Sequence, residues 1–308
     1  QAAFQVLEDF DSLTLANISG QNGWVASQES NEVVLDPVGG SNQVLKVFTE
    51  SGVLHKAASV PKNTTRMLFL RFRFEEHGQF SFGLSHLLNP DQFSDFGPEL
   101  GMGAATSGDP NNDFRVANGL LPTGIYDVLE TLTPGTWYNM WILVNHTSDT
   151  YEVWLNSVPG GNAQAADQLA NSVAETSFGF RTATAADLIN FFIKTGGGDS
   201  PVEGRFYLDD IYLEDTDNVN LSNPLSGDLV AAVLPASRSV QVGNPATAFA
   251  TIINAGSATA TGCGIAPLTR VQADFAYQTT DANNALIGTL NTPVDILAGG
   301  QQGYVFAF

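Results

Sequence analysis

The ten residues "MLFLRFRFEE" (67–76) set Leu68, Leu70, Phe72 and Phe74 on one side of an extended chain and Phe69, Arg71, Arg73 and Glu75 on the other. Successive side chains of a strand point to opposite faces, so this pattern buries one face and leaves the other partly polar. Comparable short runs recur as "QVLKVFT" (43–49), "QFSFGLS" (79–85), "WYNMWILVNH" (137–146), "YEVWLN" (151–156), "NFFIKTG" (190–196) and "RFYLDDIYLE" (205–214). Turn-forming residues stand between them. No stretch holds a 3.6-residue period; "AQAADQLANSVAE" (163–175) is the best helical candidate and reads equally as a loop. The chain is expected to be all-β.

Its 308 residues carry 32 acids against 12 Lys and Arg, a net charge of −20. Such a surface repels nucleic acid and anionic lipid, so neither is expected as a partner. No run approaches the ~20 apolar residues of a membrane-spanning helix, and no membrane insertion is expected. Cys263 is the only cysteine, which leaves no intrachain disulfide. Gln1 is not an initiator residue, and the chain reads as the mature form of an exported protein, secreted or at a cell surface.

Composition changes near "DNVNLSNPLSGD" (217–228). From residue 223 onward the charges are Asp228, Asp274, Asp281 and Asp295 against Arg238 and Arg270, a net of −2; the other 28 acids and 10 bases, and all four Trp, come earlier. The expected organisation is a domain over 1–217, a linker over 218–227 and a second domain over 228–308.

The strand "FYLDDIYLED" (206–215) poses a problem. Strict alternation puts Phe206, Leu208, Asp210 and Tyr212 on one face and Tyr207, Asp209, Ile211 and Leu213 on the other, so each apolar face carries a carboxylate. A buried unpaired carboxylate costs several kcal/mol and must be neutralised, hydrogen-bonded or metal-bound. A second acidic group, Glu8, Asp9 and Asp11 in "LEDFD", opens the chain. A sandwich commonly pairs its first and last strands, which would bring the two groups together. Either Ca²⁺ resolves their repulsion with its six to eight oxygen ligands, or one acid of each pair points to solvent.

The succession "EDFDSL", "GQNGW" (20–24), "DPVGGSNQVLKV" (36–47), "TWYNMWILV" (136–144), "DTYEVWLN" (149–156) and "FYLDDIYL" (206–213) resembles the laminin-G and concanavalin A-like jelly rolls, over roughly residues 4 to 215. Many jelly-roll carbohydrate-binding modules end in a similar strand. The resemblance implies a jelly-roll β-sandwich with a structural Ca²⁺ held by Asp11 and Asp209, with Glu8, Asp9 and Asp210 behind them. "SRSVQVGNPATAFATIINAGSATATGCGI" (237–265) and "DILAGGQQGYVFAF" (295–308) resemble Ig-like repeats of bacterial surface proteins. They imply a smaller Ig-like sandwich with Cys263 in its core. The closing apolar strand "YVFAF" suggests a sandwich incomplete at its C-terminal edge, completed by more chain or by a neighbouring copy through that edge.

Sugar sites on sandwiches combine an aromatic surface with planar polar side chains. The candidates are Arg71, Arg73 and Glu75 on the outward row of 67–76, Trp154 facing the surface, Arg115 and Lys194, with Arg181 and Asn190 on further strands. If these rows share one sheet they form a basic groove suited to an acidic or sulfated glycan. Trp137 is expected in the core. The loop "LNPDQFSDFGPELGMG" (88–103), with Asp91, Asp95 and Glu99, either rims a site or solvates an edge. No E-x-D-x-E triplet, H-E-x-x-H or G-x-S-x-G pattern occurs, and catalysis is not expected. His77 or His86 beside Arg71 and Arg73 could serve a site, or simply face solvent. The expectation is therefore a secreted, non-catalytic glycan-binding or adhesion protein with a structural calcium site, its partner a polysaccharide or cell-surface glycan. The rival is a structural subunit of a surface layer or filament.

Overall fold

The computed structural model describes residues 4–28, 31–40, 42–48, 52–75, 78–103, 112–119, 126–196, 205–217, 219–225, 229–235, 237, 239–241, 243–254, 259–267, 273–297 and 299–308. His77 lies outside them. The chain divides into two compact units, Gln1–Ser222 and Asn223–Phe308.

The first unit is built of antiparallel strands. They are β1 (Phe4–Glu8), β2 (Val25–Ala26), β3 (Glu32–Leu35), β4 (Gln43–Phe48) and β5 (Val53–Val60). Next come β6 (Thr65–Phe74), β7 (Phe80–Ser85), β8 (Glu99–Met102), β9 (Asp113–Ala117) and β10 (Tyr126–Thr131). The series ends with β11 (Tyr138–Asn145), β12 (Thr150–Asn156), β13 (Ser177–Gly179), β14 (Leu188–Thr195) and β15 (Arg205–Glu214). One sheet runs β13-β12-β11-β6-β15-β4-β3, with β1 also on β15; the other runs β10-β9-β8-β7-β14-β5-β2. The two form a sandwich. Leu68, Leu70, Phe72 and Phe74 of the first sheet share one buried cluster with Phe80, Phe82, Phe114, Phe191 and Ile193 of the second. The segment 163–175 holds only a single 3₁₀ turn, Ala165–Asp167. Its Ala-rich composition favours helix, but with no apolar stripe to bury, the segment gains nothing from continuing one.

The first sheet also has a buried outer layer. Phe69 packs edge-on against Trp141 (ring centroids 5.1 Å apart) and Tyr212 (6.1 Å), and Trp141 donates to the Ser222 carbonyl at 2.9 Å. This layer explains why the segment 206–215 is apolar on both faces.

The second unit comprises β16 (Leu229–Leu234), β17 (Thr247–Asn254), β18 (Ala260–Cys263), β19 (Ala276–Thr280), β20 (Leu286–Ile287), β21 (Val294–Ile296) and β22 (Gln301–Ala307). A sheet β16-β17-β22-β19-β20 and a pair β18-β21 enclose a small core of Ala250, Ile252, Cys263, Tyr277, Ile296 and Tyr304. The C-terminal strand β22 is not an edge. It pairs with β17 on one side and β19 on the other, so the expected docking edge at "YVFAF" is occupied from within the chain. Among the described residues the edges of this sheet are β16 and β20.

Candidate functional site

The two carboxylates of β15 do not lie on opposite faces. The register against β6 runs Asp209 opposite Arg71 and then Tyr212 opposite Phe69, so four residues of β15 span three of β6. The extra residue is a bulge, with Asp210 at φ 52°. It reverses the alternation: Phe206, Leu208 and Ile211 enter the core, while Asp209 and Asp210 both turn outward to Arg71. The Arg71 guanidinium donates to Asp210 at 3.0 Å and reaches Asp209 at 3.5 Å. Asn42 donates to the same Asp209 oxygen at 2.9 Å, and the other oxygen accepts the Asp210 amide at 2.9 Å. Burial and the adjacent Asp210 hold the Asp209 carboxyl well above the usual range despite Arg71. Burial likewise raises Asp210, against the pull of Arg71.

Strand β1 does pair with β15, Val6 opposite Tyr212 and Glu8 opposite Ile211, yet Glu8 takes no part in this acidic group. Fully buried, it accepts from Lys56 Nζ at 2.8 Å, Trp24 Nε1 at 3.0 Å and Asn22 Nδ2 at 3.0 Å. Its other oxygen accepts the Phe10 amide at 3.2 Å, in a turn where Phe10 has φ 59°. The five carboxylates named as calcium ligands have different partners, although the Asp11 charge helps to raise the Asp210 carboxyl. Glu8 belongs to Lys56; Asp9 and Asp11 flank the chain turn; Asp209 and Asp210 share Arg71. Among the described residues no three His, Cys, Asp or Glu side chains are grouped to hold a metal ion. One feature does suit a hard cation. Asp11 accepts from the Gln43 amide at 3.0 Å, and beside it the buried Gln43 Oε1 has no hydrogen-bond partner. Asp11, Gln43, Asp209 and Asp210 are the oxygen donors that fit Ca²⁺.

The expected single basic groove is split between the sheets. On the first sheet's outer face Arg71 stacks over Trp137 at 4.8 Å, and Trp137 donates to Asp36 at 3.3 Å, so this indole is half-buried outside the core. Arg73 donates to the Gly135 carbonyl and pairs with Glu75 at 3.5 Å, and Arg205 reaches Glu75 at 3.6 Å. Their charges are spent locally. Trp154 projects outward as alternation requires but is only 6% exposed. Gln168 pairs with Trp154 in an isolated antiparallel bridge, and an indole this buried offers no platform to a sugar.

Arg115 and Lys194 lie on the second sheet, in one row. Lys194 is opposite Ser81, Ser81 opposite Gly101, Gly101 opposite Arg115. The core takes the alternate residues Phe80, Phe82, Leu100 and Phe114, so this row faces outward with small side chains at its centre. Above it stands Phe93, in a 3₁₀ turn, Phe93–Asp95. The turn is held by Asp95, which accepts the amides of Asp91 (2.8 Å) and Gln92 (2.9 Å), by Ser85 donating to the Asp95 carbonyl (2.6 Å), and by Thr182 donating to the Ser94 carbonyl (2.7 Å). The half-exposed Phe93 ring has Lys194 Nζ at 5.8 Å and the Arg181 guanidinium at 6.0 Å.

Glu99 anchors this arrangement from below. It opens β8 and is fully buried. Oε1 accepts from Ser81 (2.8 Å) and Tyr126 (2.9 Å), and Oε2 from Arg181 (2.6 Å). Burial and the neighbouring carboxylate push the Tyr126 phenol up to about 12, so it remains a donor to Glu99. Arg115, 2% exposed, lies over the Tyr126 ring at 4.1 Å. Both oxygens of Glu99 are engaged, which suits a positioning residue. Arg115, Arg181 and Lys194 were legible as candidates; Phe93, Glu99 and Tyr126 as a unit were not. "DQFSDF" shows an aromatic in a polar loop, a weak signal shared by many surface turns.

No protein-family model matches the sequence, and no curated protein matches it significantly. Solved structures match in backbone. The glycoside hydrolase family 131 catalytic domain of Coprinopsis cinerea is 12% identical, with 72% of this chain and 98% of that one covered at a TM-score of 0.46. Lectin II from Ulex europaeus is 11% identical, with 67% and 97% covered at 0.44. Winged bean acidic lectin, solved with methyl-α-D-galactose, is 12% identical, with 68% and 98% covered at 0.43.

Proposed function

We propose that this is a secreted, non-catalytic glycan-binding protein whose site is the outer face of the second sheet. The observation that carries the reading is Phe93, a half-buried ring fixed in its turn with Lys194 and Arg181 beside it, on the face whose central Ser81 and Gly101 are buried. Pyranose C–H faces pack on such rings, and planar or charged donors read the hydroxyls around them. A Ca²⁺ ion held by Asp11, Gln43, Asp209 and Asp210 would neutralise the excess charge left by one guanidinium and would stabilise the fold by binding only its assembled form. The second unit serves as an Ig-like spacer. Isothermal titration of the whole chain against a panel of oligosaccharides tests the reading, with and without EDTA. Binding that Phe93→Ala weakens supports it; silence across neutral and acidic sugars overturns it.

A second reading, assembly of copies into a layer or filament, is favoured by β16. Its six residues Leu229–Leu234 are all exposed, uncharged and apolar along an open sheet edge, a form that natural edges usually avoid. "LVAAVL" reads alike in both directions, so antiparallel pairing with a second copy would set Ala231 beside its counterpart and Leu229 beside Val233. Residues 223–308 carry a net charge of only −2, which opposes that contact little.

A further inference from the structure

We infer that the Phe93 face selects a sugar bearing an ionised carboxylate or sulfate, an inference that rests on the glycan-binding reading above. The argument is one of charge placement. In the first unit cations are few, and outside this face all but Lys46, which lies over the Phe48 ring at 4.4 Å, are paired with carboxylates. Lys56, Lys62, Arg66, Arg71, Arg73 and Arg205 each lie within 3.6 Å of a carboxylate. The second sheet's outer face departs from this. It gathers Arg115, Arg181 and Lys194 against one carboxylate at their centre, Glu99, whose oxygens are consumed by Arg181, Tyr126 and Ser81. Asp113, further along β9, is bonded to Thr131 at 2.8 Å, and Asp95 is committed to the backbone of its own turn.

Lys194 is the accessible member. Its ammonium has no hydrogen bond or ion pair among the described residues, and its one neighbour of note is the Phe93 ring at 5.8 Å. Arg181 approaches the same ring from the bend that follows β13, while its Nη1 remains tied to Glu99 and Tyr126. A sugar ring stacked on Phe93 would direct an acidic substituent between these two cations, and the buried Arg115 adds a positive field that water screens poorly. A neutral sugar gains the stacking and hydrogen bonds from these donors, but no ion pairing.

The test compares oligosaccharides of equal length: a polyuronate, a sulfated galactan and a neutral glucan. Each is titrated calorimetrically against the whole chain and against its Lys194→Gln and Phe93→Ala variants, with circular dichroism confirming that each variant is folded. The expected result is that the wild type binds a polyuronate or the sulfated galactan at least ~10-fold more tightly than the glucan. Lys194→Gln abolishes that preference by weakening the anionic ligands far more than the glucan, which loses one donor but no charge interaction. Phe93→Ala weakens every ligand. The uronate and sulfate arms decide which anion is read. Equal binding of neutral and anionic sugars, or an anionic preference unchanged by Lys194→Gln, overturns the inference and leaves the glycan-binding reading standing. No binding of any sugar overturns both.

Discussion

Glu8 of the first sheet and Lys56 of the second meet at 2.8 Å in the sandwich interior, with side chains 1% and 9% exposed. The pair joins the two layers near the start of the chain, and Trp24, Asn22 and the Phe10 amide complete its hydrogen bonding. Removing one member strands the other without water, which typically costs about 3–5 kcal/mol. Lys56→Met is therefore expected to lower the free energy of unfolding by about that amount, and Glu8→Gln with Lys56→Met by less than Lys56→Met alone. Urea denaturation checks this; a Lys56→Met loss below ~1 kcal/mol would show the pair to be solvated.

Asp209 and Asp210 make the opposite contribution. Their carboxyls are raised in the folded state, so at neutral pH ionisation opposes folding. The penalty is relieved as pH falls through the raised folded-state values toward the ordinary 3.8. In EDTA, Asp209→Asn is expected to match or exceed the wild type in melting temperature at pH 7, its advantage shrinking as pH falls. With calcium in excess the order at pH 7 should invert, because the wild type alone keeps its anionic ligands. A difference independent of both pH and calcium contradicts this account and removes the ion from it.

Asp149 has the conventional sign. Burial alone would raise its carboxyl, but hydrogen bonds from Lys62 and His146, both 2.7 Å, hold it below the usual range. Its contribution is fully present above pH 3.8 and is lost as pH falls through the lower folded-state value. Asp149→Asn should lower stability at pH 7 and flatten the acid limb of the stability curve; an unaltered acid limb would contradict that role.

The exposed strand β16 gives a concentration-dependent expectation. If copies pair along it, sedimentation velocity should show a dimer or larger species that Val230→Lys or Ala232→Lys abolishes without loss of melting temperature. A monomer at all concentrations would remove the assembly reading.

Alternation alone gave the correct inward row of β6, Leu68, Leu70, Phe72 and Phe74, because a regular strand carries its period in its sequence. The same rule fails at β15. One inserted residue at Asp209–Asp210 shifts Ile211 into the core, and no local signal marks the insertion. The pairing of Asp209 with Arg71 then depends on a partner 138 residues away. The proposed ligand face was legible only in parts. Arg115 and Lys194 declare themselves as rare cations on strands, but their separation from Arg71 and Arg73 is a matter of which sheet each strand joins. Trp154 shows a related limit: its outward phase is local, whereas its burial to 6% exposure is not. Glu99, Tyr126 and Arg181 come from three elements, and their convergence is set by topology rather than by spacing.

The most direct measurement is a side-by-side glycan titration of the intact chain and its Phe93→Ala variant, both verified as folded. Burying apolar ring surface is worth about 25 cal/mol per Å², so the account predicts saturable binding to at least one oligosaccharide, weakened several-fold in the variant. Identical isotherms for the two proteins, or no heat with any sugar, would contradict the central claim that this face of the second sheet is a carbohydrate site.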